Sequence, residues 1–400
     1  MKLIKRWLHA LYVRISIVFM KLLPDKTPVT FTGPDSSHVL CQSIGQSGVD
    51  RILVVTDGML LEIGLVGPIL AKLRSAGVEC SVYSGVEPDP TFNHVEAGLA
   101  LYNEEGCDSV LAIGGGSSMD AAKVIAAAAA NPGPIRKLEG MMKLKNMPVP
   151  LYAIPTTAGT GSEVTVAAVI SEADTHAKCF FIDPKLLPRM AALDPNLMKG
   201  LPKPITAATG MDALTHAIES YLSLTHTPTT EAYAEIAVRL VFQNLPRAYG
   251  DGDDQEAREA MALASFYGGL AFTRTGVGYV HAIAHTFGAY YGTPHGLANA
   301  IVLPHVLEFS ADAAIERLAK LGRLVGSGGT TPTEQAEGFV AAVRILMEKV
   351  GIDGQLPALQ VEDIPGIAKQ ALDEAFLNYP VPRFMQQGEC EVLLRRLLVA

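Results

Sequence analysis

The hydrophobic period changes once along this chain, near residue 204, and that change constrains the fold more than any other feature. Before it, continuous apolar runs at 52–56, 80–83, 109–113 and 151–154 alternate with helix-period stretches. The helical stretches run to residue 73, then over 93–102 and 119–130. A short strand that is apolar on both faces is buried on both faces. Its alternation with helices predicts a mostly parallel sheet covered on each side. Residues 164–170 and 178–182, joined by a polar stretch at 172–175, read as a hairpin added to that sheet. After residue 204 the period is 3.6, with helices expected over 205–221, 229–245, 256–270, 295–309, 314–324 and 333–350. Thr293-Pro294 and Thr331-Pro332 read as helix starts. The expected organisation is a basic arm (1–27), an α/β dinucleotide-binding domain (28–203) and an all-α domain (204–400).

A chain of 400 residues, 49% hydrophobic, has material for two cores. Its net charge of −9 argues against a nucleic-acid partner, which needs a basic face. That charge permits a monomer or a homo-oligomer. The five cysteines are scattered, with no CxxC pair, as in a reducing cytoplasmic compartment. The first 25 residues differ from the rest: Lys2, Lys5, Arg6, Arg14 and Lys21 are interleaved with apolar side chains, and no acid precedes Asp25. Arg14 interrupts the apolar run, which is too short to span a bilayer. No clear cleavage site of a signal peptide follows. Residues 1–25 read either as an amphipathic helix on an anionic membrane surface or as an arm packed on the body or on a second subunit.

Gly114, Gly115, Gly116 and Ser117 follow a buried strand and open a helix. Glycines let a ligand approach the backbone, and a helix N-terminus offers free N–H groups to phosphate. A tight turn without a ligand is the alternative, since the spacing is not GxGxxG. Three features favour the ligand. Asp57 ends the first strand, where a carboxylate accepts from ribose hydroxyls and repels a 2′-phosphate. Thr156, Thr157 and the glycine-rich residues to Ser162 follow another strand. Asp120, one turn into the helix, either braces that loop or offsets the helix dipole.

In the helical half, Asp212 and His216 are four residues apart, and so are His281 and His285. Such pairs share a helix face, about 6 Å apart. Gly288, Gly292 and Pro294 then break the helix, so His295 begins a new element, with Thr293 as its expected N-cap and Pro294 as its first residue. A lone histidine on an apolar helix is usually a packed core residue. Two four-residue steps and a third position in one domain point instead to a single divalent ion with a free coordination position. His38, His94, His176, His226 and His305 lack partner spacing and read as surface or packing residues.

Gly-Met-Asp-Ala-Leu-Thr-His-Ala-Ile-Glu (210–219), Gly-Tyr-Val-His-Ala-Ile-Ala-His (278–285) and Thr-Pro-His-Gly-Leu-Ala-Asn-Ala (293–300) resemble the iron-containing, group III alcohol dehydrogenase family. Gly-Gly-Gly-Ser (114–117) and Pro-Thr-Thr-Ala-Gly-Thr-Gly-Ser-Glu-Val-Thr (155–165) do so too. The resemblance runs from about residue 30 to the C-terminus. It implies a dinucleotide-binding α/β domain followed by an all-α domain, the fold shared with dehydroquinate synthase. It implies metal ligation by Asp212, His216, His281 and His295, with His285 beside the metal near substrate and nicotinamide. It places Asp57, Gly114 to Ser117, Thr156, Thr157, Thr165 and Lys178 along the cofactor cleft. The expected cofactors are NAD and Fe²⁺, with Zn²⁺ as an alternative that the same donors suit.

The expected activity is hydride transfer between NAD(H) and a primary alcohol or aldehyde. A polyol dehydrogenase, a dehydroquinate synthase-like lyase and a catalytically idle scaffold are the rival readings. Two positions depart from the family pattern. Asp89 stands where an asparagine is common. Arg274 stands where an uncharged residue is common, and reads as an exterior ion pair or as an anchor for an anionic substrate.

Overall fold

The computed structural model describes residues 9, 11–13, 26–174 and 177–399. Residues 26–199 form one compact unit, and the chain from Gly200 onward forms a second, with which the described residues of the arm group. The division at 199/200 lies a few residues before the boundary expected at 203/204.

In the α/β unit the elements are β1 (Val29–Thr32), α1 (Ser36–Gln46), β2 (Arg51–Asp57), α2 (Gly58–Glu62), α3 (Gly67–Ser75), β3 (Glu79–Val86), α4 (Phe92–Glu104), β4 (Ser109–Gly114) and α5 (Gly116–Ala130). They continue with β5 (Gly140–Met141), β6 (Leu151–Pro155), β7 (Ala167–Ser171), β8 (Lys178–Ile182) and β9 (Met190–Leu193). Among the described residues, six strands make a parallel sheet in the order β1-β9-β6-β4-β2-β3. Because side chains alternate along a strand, each central strand feeds two cores. Leu53, Val55, Val110, Ala112 and Ala153 pack with α4 and α5. Ile52, Val54, Leu111, Ile113 and Ile154 pack with α1 and α3 on the other face. Each of the leucines, isoleucines and valines among them contributes about 1.5–3 kcal/mol on burial. The small side chains Ala126, Ala127 and Ala128 let α5 lie close to the sheet.

Several expectations are corrected here. The helix expected to run to residue 73 is two helices, separated where Gly64 takes φ +80°. The hairpin β7–β8 does not extend the main sheet; with β5 it forms a separate sheet, ordered β5-β8-β7. α5 begins at Gly116, not at Met119, so Ser117 and Ser118 lie in its first turn. The four-residue strands β1 and β9 were too short to stand out by period.

The helical unit contains α6 (Lys203–Leu222), α7 (Pro228–Gly250), α8 (Gln255–Thr275), α9 (Tyr279–Tyr291), α10 (His295–Val325), α11 (Pro332–Lys349), α12 (Ile364–Ala375) and α13 (Gln387–Arg395). α6 is buried on every side from Gly210 to Leu222, so polar groups on it must find partners inside the protein. A Cβ at Gly210 would fall 2.3 Å from Leu245 Cδ1, which shows how closely α7 crosses α6. The two helices expected over 295–309 and 314–324 are both present within α10, divided by the non-helical residue Ala314 (φ −134°, ψ 23°). Its N-cap is Pro294 rather than Thr293, because ψ 131° keeps Pro294 outside the helix. α12 and α13 were not expected from the sequence; both are short.

In the arm, His9 is buried with Nδ1 3.0 Å from the Phe376 carbonyl, and the Tyr12 hydroxyl donates to the Asn378 carbonyl at 2.7 Å. Val13 is buried as well. The remainder of the basic arm, with Lys2, Lys5, Arg6, Arg14 and Lys21, lies outside the described residues, as does His176. Among the described residues no helix is long and apolar enough to cross a membrane.

Candidate active site

The chain runs from β2 outward to β3, then returns to place β4 on the other side of β2. That reversal is a topological switch point, and open α/β sheets bind ligands in the crevice outside the carboxyl ends of such strands. β2 and β4 pair with Val55 opposite Ala112, so Asp57 and Gly114 end neighbouring strands at the same level. Gly114 in turn lies opposite Pro155 at the end of β6, and Thr156 N–H donates to the Gly114 carbonyl at 3.0 Å. Asp57, the glycine turn and the Thr156–Thr157 corner thus form one row along the sheet edge. Gly114 takes φ +152°, and a Cβ there would lie 2.5 Å from Ser118 Oγ. A Cβ at Gly116 would lie 2.7 Å from Thr160 Cγ2. Only glycine fits this approach of turn, helix and loop. Asp57 also caps α2, its Oδ1 accepting from Leu60 N–H at 2.9 Å.

Beneath the edge is a buried polar network. Lys123 Nζ donates to Ser162 Oγ (2.9 Å), Thr165 Oγ1 (2.8 Å) and the Ala167 carbonyl (2.8 Å). Asp120 accepts from Ser162 Oγ at 2.9 Å and from Val169 N–H at 2.9 Å, so it braces the loop after β6. Burial pulls Lys123 down to about 8 and pushes Glu163 up to about 7. Thr165 is therefore engaged by Lys123. Lys178 Nζ donates to Asp89 Oδ1 at 2.6 Å and to Ser171 Oγ at 3.0 Å. Asp89 sits at φ +56°, a conformation that short polar side chains tolerate.

In the helical unit, Asp212, His216 and His281 offer ligand atoms that all lie within 4.8 Å of one another, and all three residues are buried. His281 Nε2 is 3.0 Å from His216 Nε2 and 3.7 Å from Asp212 Oδ1. His295 Nε2 is 3.5 Å from the same Asp212 oxygen, and its side chain is 38% exposed. α6, α9 and α10 each bring one or two of these groups to a single point. Phe272 stacks on the His216 ring at 4.1 Å and walls the cluster.

Glu219 decides how His281 is presented. Its Oε2 accepts from Gly278 N–H (2.8 Å) and from His281 Nδ1 (2.6 Å), and its Oε1 accepts from Val280 N–H (2.7 Å). The carboxylate thus caps α9 and places the proton of His281 on Nδ1, leaving the Nε2 lone pair aimed into the cluster. Burial first, then the neighbouring imidazoles, hold His281 well below the usual histidine range, so it is neutral. Burial pushes Glu219 up, while its N–H donors pull it back toward the carboxylate form. Asn299 directs its amide NH₂ at Asp212 Oδ1 (2.7 Å), His295 Nε2 (3.1 Å) and His281 Nε2 (3.2 Å), while its buried Oδ1 has no hydrogen-bond partner. Three imidazoles and one carboxylate, all buried except the partly exposed His295, with acceptor atoms converging on one point, suit a divalent cation.

His285 lies one turn along α9 from His281, and its ring stacks on His295 at 5.3 Å. Its Nδ1 is 2.7 Å from Glu374 Oε1 on α12. Arg274 is half-buried in the last turn of α8. His94 caps α4 by accepting from Thr91 N–H, His226 pairs with Glu231, and His305 is buried.

The sequence reading missed Glu219, Asn299, Lys123, Glu374 and Tyr379. For two of these a signal existed: Glu219 continues the Asp212–His216 stripe at the next helical step, and Asn299 is four residues beyond His295. Lys123, Glu374 and Tyr379 carried no comparable signal.

A switch-point nucleotide edge and a histidine–carboxylate cluster on one chain define a class, the metal-dependent enzymes that use a dinucleotide. The family is shown by comparison. Residues 27–195 match the model described as iron-containing alcohol dehydrogenase, and residues 206–398 match the C-terminal model of the Fe-containing alcohol dehydrogenase family. The chain is 40% identical over 387 residues to the 1,3-propanediol dehydrogenase of Klebsiella pneumoniae, covering 95% of this chain and 98% of that one. It is 38% identical over 351 residues to the NAD-dependent methanol dehydrogenase of Bacillus methanolicus, covering 87% and 92%. A crystal structure of a 1,3-propanediol oxidoreductase matches with a TM-score of 0.90 at 39% identity, covering 93% and 98%. The chain belongs to the iron-containing alcohol dehydrogenase family. With the family comes the activity: it is an NAD- and metal-dependent oxidoreductase that interconverts alcohols and aldehydes. The lyase and idle-scaffold readings are set aside on the same ground.

Proposed function

We propose that the enzyme acts on small primary alcohols and their aldehydes, with one divalent ion held by Asp212, His216, His281 and His295. The observation that carries this reading is the convergence of these four side chains from three helices. Iron is the metal of the family, and Zn²⁺ suits the same donors. A bound ion supplies Lewis acidity toward the alcohol or carbonyl oxygen, and NAD supplies the two-electron acceptor. Asp212 offsets part of the ion's charge. Glu219 keeps His281 in the ligating tautomer. His285 takes the hydroxyl proton at Nε2 during oxidation and returns it during reduction.

Asp57, Gly114 to Ser117, Thr156 and Thr157 form the nucleotide edge, with Thr165 acting from the loop before β7 and Lys178 from the start of β8. Asp57 favours NAD over NADP. The test is reconstitution of the purified protein with Fe²⁺ without oxygen, and separately with Zn²⁺. NADH formation is then followed with methanol, 1-propanol and 1,3-propanediol, and NADH consumption with the matching aldehydes. One bound ion per chain without turnover of any of these would refute the substrate reading.

For the described residues of the arm, around His9 and Tyr12, we propose a role in packing against the helical unit in place of membrane contact, on the strength of the His9 and Tyr12 hydrogen bonds. Co-sedimentation with anionic liposomes that disappears when residues 1–25 are deleted would reverse that choice.

A further inference from the structure

α12 ends in a hydrogen-bonded chain that the mechanism above does not use. Glu374 Oε1 lies 2.7 Å from His285 Nδ1 and accepts from the Tyr379 hydroxyl at 2.5 Å. The His285 and Glu374 side chains are only 14% and 17% exposed, and Tyr379 is buried. We propose that Glu374, anchored by Tyr379, is the positioning residue that fixes the tautomer and ring orientation of His285. The inference rests on the reading of His285 as the proton acceptor.

A carboxylate oxygen only accepts, so the bonded hydrogen sits on His285 Nδ1 and the basic lone pair falls on Nε2. The Tyr379 hydroxyl reaches the same oxygen and holds Glu374 in place. Burial first, then the Glu374 charge, keep that phenol protonated far above its usual range, so it remains a donor. The backbone that carries the pair is itself held. Asn378 Nδ2 donates to the Glu374 carbonyl at 2.6 Å, Tyr12 donates to the Asn378 carbonyl, and His9 reaches the Phe376 carbonyl. The described part of the arm therefore grips the segment that aims His285. Carboxylate partners of this kind, acting through a histidine, are worth about 10–100-fold in activity.

The test combines kinetics with NMR. Zn²⁺-loaded enzyme labelled with ¹⁵N-histidine gives the tautomer of each ring directly, and His285→Ala identifies the His285 signals. The expected result is protonated Nδ1 and bare Nε2 in the parent, and a mixed or reversed tautomer in Glu374→Ala. With 1,3-propanediol and NAD, Glu374→Ala should lower kcat about 10–100-fold. KM for NAD and metal content should stay at parent values. Glu374→Gln keeps an acceptor oxygen and should recover most of the rate; Tyr379→Phe should lose only a few-fold. Added to His285→Ala, Glu374→Ala should cost nothing further.

A bare Nδ1 in the parent, or an undiminished loss on the His285→Ala background, overturns the inference. Parent-like kcat in Glu374→Ala beside an impaired His285→Ala overturns it while leaving His285 as the acceptor. A fully active His285→Ala removes the acceptor reading itself, and the inference with it.

Discussion

The proposed nucleotide edge of the α/β unit is built largely from backbone at the ends of β2, β4 and β6, with Asp57 at the end of β2. The proposed metal cluster of the helical unit is built almost wholly from side chains, drawn from α6, α9 and α10 and oriented by others. One is a property of strand order and glycine geometry. The other is a property of how helices pack. The first tolerates changes of side chain that spare its glycines, whereas the second depends on the Glu219 carboxyl group that orients His281.

This contrast can be broken in either direction. The largest effect is expected from His281→Ala, which removes a proposed ligand and leaves Glu219 buried without its imidazole donor. Activity should fall at least about 10³-fold, the equivalent of several kcal/mol of lost Lewis-acid stabilisation. Calorimetric NAD affinity should not change; a joint loss of metal and nucleotide would end the separation of the two sites. Next is Glu219→Ala. Metal affinity in a chelator competition should weaken about 10–100-fold although every ligand is intact. Unchanged affinity would mean that α9 packing alone orients His281. In the other unit, Gly114→Ala forces a Cβ onto Ser118. NAD affinity should drop roughly tenfold, about 1.4 kcal/mol, with metal content untouched. The smallest effect is expected from Asp57→Ala. The preference for NAD over NADP should narrow by several-fold, and loss of the α2 cap should cost about 1 kcal/mol in a denaturant titration.

How far the sequence could be read follows the same division. The run Ser109 to Ile113 followed by three glycines specifies a strand, a turn and a helix within a few residues, and the structure has them in that order. The four-residue steps Asp212–His216 and His281–His285 are legible because a helix puts such residues on one face whatever surrounds it. Thr331 is legible for the same reason, as a capping box that needs only Glu334 three residues on. The misses are non-local. That β7 and β8 leave the main sheet depends on β5, a two-residue strand with no period to detect. The Glu374–His285 contact joins residues 89 apart in the chain.

From the sequence alone came what hydrophobic period and local backbone rules control: two units of different class, a glycine turn after a buried strand, and which histidines share a helix face. Only the tertiary structure decided which nitrogen of His281 faces the cluster, that Asn299 points into it, and that Lys123 ties the loop after β6 to α5. The physical reason is range. Period and capping act over one or two turns of chain, whereas the direction of a buried proton is set by whichever carboxylate or carbonyl packing brings within 3 Å of it.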